Sequence, residues 1–239
     1  MEIFFQLETY VALFTLTIIE IILGIDNIIF ISIVTNKVKR EERQKARVIG
    51  LLLALILRVI MLFGLTWFIG LTKPIFFNFS IKDLILLIGG GFLIIKSALE
   101  ISHKINVNFD DKITNNKAIS FKSVIWQIVA VDFVFSVDSI LTAIGLTDVL
   151  LLMVIAVIAS ILFMIFYSSK ISDIIDRYPS LEILALSFLI LIGFTLILEA
   201  AHYEVPKGFI YFALFFTLGV ELLNIKFRRV SLKRIKIKK

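Results

Sequence analysis

Two stretches carry acids where an apolar chain has no cheap place for them. Glu20-Ile-Ile-Leu-Gly-Ile-Asp26-Asn27 sits inside the apolar run 11–34, and Asp132-Phe-Val-Phe-Ser-Val-Asp138-Ser139 sits inside another. Each run is long enough to cross a hydrocarbon core of ~30 Å as a helix. An acid near mid-depth costs at least ~2.5 kcal/mol, so it persists when paired, protonated, metal-bound or facing water. The chain has no cysteine and only two histidines, His103 and His202. That removes thiolate and imidazole-rich metal sites and disulfides, and leaves the redox compartment unread. The donors that remain are carboxylate, amide, hydroxyl and backbone oxygens, which favour hard dications such as Mg²⁺, Ca²⁺ or Mn²⁺. The same carboxylates bind protons, so a dication exchanged for protons is the chemistry they suit.

Helix geometry constrains how these groups could act together. Six residues turn a helix ~600°, which leaves Glu20 and Asp26 ~120° apart and ~9 Å along the axis. One span alone therefore does not place both acids on one ion unless its helix breaks. Gly24 permits such a break, which would free carbonyls as ligands; the second stretch has Ser136 at the equivalent place. We therefore expect pairing across helices: Asp26 with Asp138 as central ligands, assisted by Asn27 and Ser139, with Glu20 and Asp132 as second ligands or proton carriers. The competing reading is that each acid is a protonated, hydrogen-bonded contact between helices.

The elements that must position these groups follow from hydropathy. The 239 residues are 59% hydrophobic and 18% charged, which excludes a soluble domain and defines an all-α polytopic bundle. Seven spans are expected, at about 11–34, 48–70, 82–101, 123–145, 148–169, 181–200 and 208–225. Glycine and Pro74, Pro179 and Pro206 fall mostly near span ends. The third span is the weakest, with Lys82, Asp83, Lys96 and Gly89-Gly90-Gly91. Loops 35–47, 102–122 and 170–180 and tail 226–239 hold 20 Lys and Arg against three on the other side (Lys73, Lys82, Lys207). By the positive-inside rule the N-terminus is outside and the C-terminus cytoplasmic, in a bacterial plasma membrane. The tail reads as a topology determinant and anionic-lipid contact rather than a nucleic-acid site. At the other end, residues 1–10 hold two glutamates and no Lys or Arg, so they lack the basic start of a signal peptide.

An offset of 112 places Glu20 on Asp132, Asp26 on Asp138 and Asn27 on Ser139. Spans 1–3 (about 8–101) and 4–6 (about 120–200) are thus expected to form a 3+3 inverted repeat, with 208–225 as an extra helix in a single transmembrane domain over 1–225. Inverted repeats bring equivalent residues to similar depth around a two-fold axis in the membrane plane, the usual logic of a secondary transporter.

Other polar residues carry lesser expectations. Arg58, mid-span, cannot deprotonate and is expected to pair with Glu20 or Asp132. Lys96 and Glu100 are spaced for an i,i+4 pair. Glu199, His202 and Glu204 gather at the outer mouth, where they either attract cations or are simply solvated. Glu221 and Asn224 suit a capping or gating contact. No Walker A loop, dinucleotide loop, HExxH or Ser-His-Asp set occurs, so no enzyme is expected, and no permanently bound cofactor.

These motifs resemble those of the TerC family of integral membrane proteins. The resemblance rests on the two acidic stretches, Ala185-Leu-Ser-Phe-Leu-Ile-Leu-Ile-Gly193-Phe, His202-Tyr-Glu-Val-Pro-Lys-Gly-Phe-Ile-Tyr211 and Gly219-Val-Glu221-Leu-Leu-Asn224, together covering about 8–225. The family is named for tellurite resistance, and several members are linked to manganese export. The resemblance implies a Mn²⁺ exporter with its transport site in spans 1 and 4, and no cytoplasmic nucleotide-sensing domain of the kind larger relatives carry. Ca²⁺ remains an alternative cargo, and oligomerisation remains open. Two other readings are a membrane-embedded factor for assembly or metal loading, and a tellurite-resistance component without transport of its own.

Overall fold

The computed structural model describes residues 7–64, 74–76, 79–107, 120–144, 147, 149–203 and 205–237. In chain order these form α1 Leu7–Leu23, α2 Ile25–Thr35 and α3 Arg43–Phe63. A short antiparallel pair follows, β1 Pro74–Phe76 with β2 Phe79–Ser80. Then come α4 Ile81–Val107, α5 Phe121–Ile144, α6 Leu150–Arg177, α7 Pro179–Ala200 and α8 Lys207–Ile237. The all-helical expectation holds apart from that minimal hairpin.

Among the described residues, six stretches of helix are long and apolar enough to cross a bilayer: Leu7–Thr35, Arg43–Phe63, Ile81–Ile105, Leu150–Arg177, Pro179–Ala200 and Lys207–Phe227. The helix of the second acidic stretch, α5, is not among these six; its 24 residues span ~36 Å.

Local chemistry explains where helices end. Pro179 opens α7, where a missing N–H costs nothing, so only Tyr178 separates α6 from α7. After α7 the chain turns at His202, whose φ of 63° is left-handed. There the His202 and Tyr203 N–H groups return to Glu199 and Leu198 carbonyls at 2.9 Å each, closing the helix end.

Several expected boundaries move. The 170–180 segment is not a loop, because α6 runs on to Arg177, and α3 begins at Arg43 rather than 48. Both helices continue past the apolar stretch because their charged ends find partners on neighbouring elements, as described below. The basic segment after 225 is helical to Ile237, continuous with α8. Residues 65–70 of the expected second span lie outside the described residues.

The centre of the bundle is α2. Nine of its eleven residues, from Asp26 to Thr35, are buried, and it packs on α3, α5, α6 and α7. Around it α3 packs on α5 and α6, and α1 on α6. The broadest helix pair is α4 with α7. These two approach at Gly90 and Gly193: a Cβ on Gly90 would lie 2.6 Å from the Gly193 carbonyl oxygen, and one on Gly193 2.7 Å from that of Gly90. Only glycine allows this backbone contact. Outermost is α8, which rests on α7 and exposes Phe209, Phe212, Phe215 and Phe216.

Candidate functional site

Arg58 on α3 is the most enclosed charge, only 2% exposed. Its Nη1 donates to Glu20 Oε2 at 2.9 Å, while Nη2 and Nε grip Asp132 Oδ1 and Oδ2 at 2.7 and 3.2 Å. Two-pronged contacts of this kind are among the strongest side-chain hydrogen bonds. Asp132 also accepts Asn27 Nδ2 at 3.1 Å and Ser136 Oγ at 3.2 Å. The two acids equated by the 112-residue offset thus meet on one guanidinium. Arg58, expected to take one partner or the other, takes both. With four donors around it, Asp132 is a saturated acceptor.

Asp26 is set apart from this triad. It is 7% exposed, yet its Oδ1 has no hydrogen-bond partner. It lines a cavity of about 470 Å³ together with Arg58, Phe135, Ser139, Thr195 and Glu199. Further lining comes from Pro206, Lys207 and Tyr211 at the start of α8, so the cavity reaches from buried Asp26 to one end of the bundle. An unpaired carboxylate oxygen buried beside a cavity calls for a donor or a cation. Asn27 Oδ1, adjacent in sequence, is likewise buried without a partner. Ser139 Oγ leans 3.4 Å from the Ser136 carbonyl and contributes to the cavity wall.

The helix is interrupted at Gly24, as the sequence expects: α1 ends at Leu23 and α2 begins at Ile25. The backbone bonds at the junction run from Gly24 N–H to the Glu20 and Ile21 carbonyls at 2.9 and 3.1 Å and from Ile28 N–H to the Gly24 carbonyl at 3.1 Å. A Cβ on Gly24 would also sit 2.7 Å from Met164 Sδ on α6. The expected convergence of four acids on one cavity is met only by Asp26 among those described. Glu20 and Asp132 face Arg58 and do not line the cavity, and the side chain of Asp138 lies outside the described residues. Among the described residues no three His, Asp or Glu side chains stand close enough to hold a metal.

At the mouth end, Glu199 accepts Lys82 Nζ at 2.7 Å, and His202 Nε2 lies 3.7 Å from Asp83 Oδ2. Buried Asp83 also accepts from the Ser80 backbone and hydroxyl, both at 2.7 Å. Glu204 lies outside the described residues. Glu221 and Asn224 touch each other at 3.4 Å on the exposed side of α8, away from the cavity. Glu100 pairs with Lys37 rather than Lys96, because the loop after α2 comes down on α4.

Sequence reasoning missed Lys207, Tyr211 and Thr195 as cavity wall. It also missed a polar cluster at the opposite end, where Asn36 and Arg43 both bond Asp176. Only the position of Asn36, directly behind an apolar run, hinted at the latter.

Buried charges inside a bundle of apolar spans define a polytopic membrane protein with a polar interior. The chain belongs to the TerC family of integral membrane proteins, whose model matches residues 5–236. It is 46% identical over 222 residues to the UPF0053 inner membrane protein YgdQ of Escherichia coli, covering 91% of this chain and 93% of that one. A UPF0053 protein of Haemophilus influenzae is 44% identical over 227 residues, covering 93% and 96%. The UPF0053 protein YegH of Escherichia coli is 40% identical over 219 residues, which are 90% of this chain but 42% of that longer one. No solved structure matches.

Proposed function

We propose that the protein carries a divalent metal cation across the membrane, Mn²⁺ before Ca²⁺, outward and in exchange for protons. The observation that carries the reading is Asp26, a buried carboxylate with an unpaired oxygen at the wall of a cavity open toward one end. Direct contact with the cargo falls to Asp26, with Ser139 beside it and Asp138 as the second carboxylate from the other half. Asn27 divides its amide: Nδ2 holds Asp132, and the Oδ1 is left for cargo. Glu20 and Asp132, neutralised in part by Arg58, fix the depth and shape of the site and tune its charge. All donors are oxygens, as a hard dication requires. We assign transport rather than catalysis on the unpaired oxygen of Asp26 at the cavity wall.

The same proposal includes α5 as a seventh span, with the N-terminus outside and the C-terminus cytoplasmic. The mouth of the cavity is then external. Helix pairing supports an inverted repeat: α3 on α5 and α1 on α6 are equivalent pairs under exchange of the halves, and α4 on α7 is its own equivalent.

The test is Mn²⁺ flux in proteoliposomes. Asp26→Asn keeps the side-chain volume and removes the charge, and is expected to abolish flux while leaving the fold intact. Wild-type flux from that variant would refute the site. Absence of any flux from the purified wild-type protein, with altered maturation of secreted proteins in cells lacking it, would favour the assembly reading instead.

A further inference from the structure

The cavity reaches one end of the bundle, and the opposite end is closed by contacts of uneven kind. Along the packed faces of α2 and α6 the hydroxyls bond within their own helices. Ser32 donates to the Ile28 carbonyl at 2.8 Å, Thr35 to Ile31 at 2.7 Å, Ser160 to Val157 at 2.9 Å and Ser168 to Ile165 at 3.0 Å. Parting the two helices would therefore strand none of these donors. Among the described residues, polar bonds joining α2 to α6 occur only at the far end. There Asn36, which caps α2, donates to Asp176, and Ser172 Oγ donates to Asn36 Oδ1 at 3.3 Å. Arg43 ties the corner, with Nη1 on Asp176 Oδ2 at 3.2 Å and Nη2 on the Asn36 carbonyl at 2.8 Å. Asp176 and Arg43 are partly solvent-exposed, so water can replace these bonds when they break. By contrast, α4 and α7 meet backbone to backbone at Gly90 and Gly193, a contact with no slack.

From this unevenness we infer that the second half of the pathway opens between α2 and α6, and that the Asn36–Arg43–Asp176 clasp is the latch that holds it shut. The stripe Ser160, Ser168 and Ser172 on α6, each 1% exposed or less, becomes the hydroxyl lining of the opened passage. Met164, which touches the position of Gly24 beside Asp26, marks where that passage meets the site. The inference rests on the transport reading above, but it concerns conformation and is read without any metal.

The native chain has no cysteine, so one introduced thiol is a unique reporter. Ser168→Cys reports the α2–α6 interface and Thr195→Cys the open cavity. Each is followed by its rate of reaction with a membrane-impermeant cationic methanethiosulfonate added to either face of vesicles. Asp176→Ala, and independently Arg43→Gln, are expected to raise the Ser168→Cys rate from the clasp face by about tenfold or more. That is the factor one lost charge-assisted bond corresponds to. The Thr195→Cys rate from the mouth face is expected to fall in the same backgrounds, because the two openings exclude each other. An unchanged Ser168→Cys rate in both backgrounds would overturn the latch. So would a rise at both reporters, which would mean general loosening. A failure of Mn²⁺ flux would leave these rates unaffected, so the two readings fail separately.

Discussion

Replacing Arg58 by methionine tests whether the buried triad is held by charge. The substitution keeps an unbranched apolar stem and removes three hydrogen bonds, one to Glu20 and two to Asp132. Both carboxylates are at most 4% exposed, so neither can turn to water. Breaking a buried pair by deleting one partner costs ~3–5 kcal/mol, most of it the stranded charge. For a chain of this size each kcal/mol moves Tm by roughly 2–4 °C, which gives a fall of about 6–20 °C. The assay is thermal unfolding of the purified protein in one detergent, followed by loss of monodispersity or by tryptophan emission. The triple variant Glu20→Gln, Arg58→Met, Asp132→Asn removes every charge of the triad and is expected to recover more than half of the loss. A wild-type Tm for Arg58→Met, or a triple variant no better than the single, would refute the reasoning.

The α4–α7 contact predicts opposite outcomes for neighbouring glycines. Gly193→Ala forces a methyl group against a carbonyl and is expected to lower stability by ~1–3 kcal/mol. Gly91→Ala meets nothing within 4 Å and should be neutral or stabilising by up to ~1 kcal/mol, the helix preference of alanine over glycine; paired melting curves check both. A reporter active only in the cytoplasm, fused after Lys239, is expected to be active, and one fused at the N-terminus inactive. The reverse pattern would invert the proposed orientation.

The acids were legible because their cost in an apolar run is large and needs an explanation wherever they occur. Helix geometry also separated Glu20 from Asp26 correctly, since one faces Arg58 and the other the cavity. What it could not give was which acid finds hydrogen-bond donors. Asp132, aligned with Glu20 and expected as a second ligand or proton carrier, is saturated by four donors while Asp26 keeps an unpaired oxygen, and only packing decides that. The break that glycine permits at Gly24 is there in the fold, where α1 gives way to α2; what the sequence could not show is that the missing side chain also admits Met164. The end of α6 was missed for a simpler reason. Hydropathy marks where the oily stretch stops, and helix hydrogen bonds run on through Lys170, Asp173 and Asp176 to Arg177. Of the charges counted as orientation markers, Arg43 forms one side of a clasp whose other side, Asp176, is an acid outside that count. The pairing of Lys37 with Glu100 shows the same limit, since spacing within one helix says nothing of a loop arriving from elsewhere.

The attachment of α8 has a consequence for the surroundings of the protein. This helix rests on α7 with only 6% of its apolar stretch buried, yet Lys207, Ile210 and Tyr211 from its first turns complete the cavity wall. The panel that is easiest to displace is thus the one pressed by acyl chains. Lateral pressure and bilayer thickness thereby gain a direct mechanical route to the cavity beside Asp26.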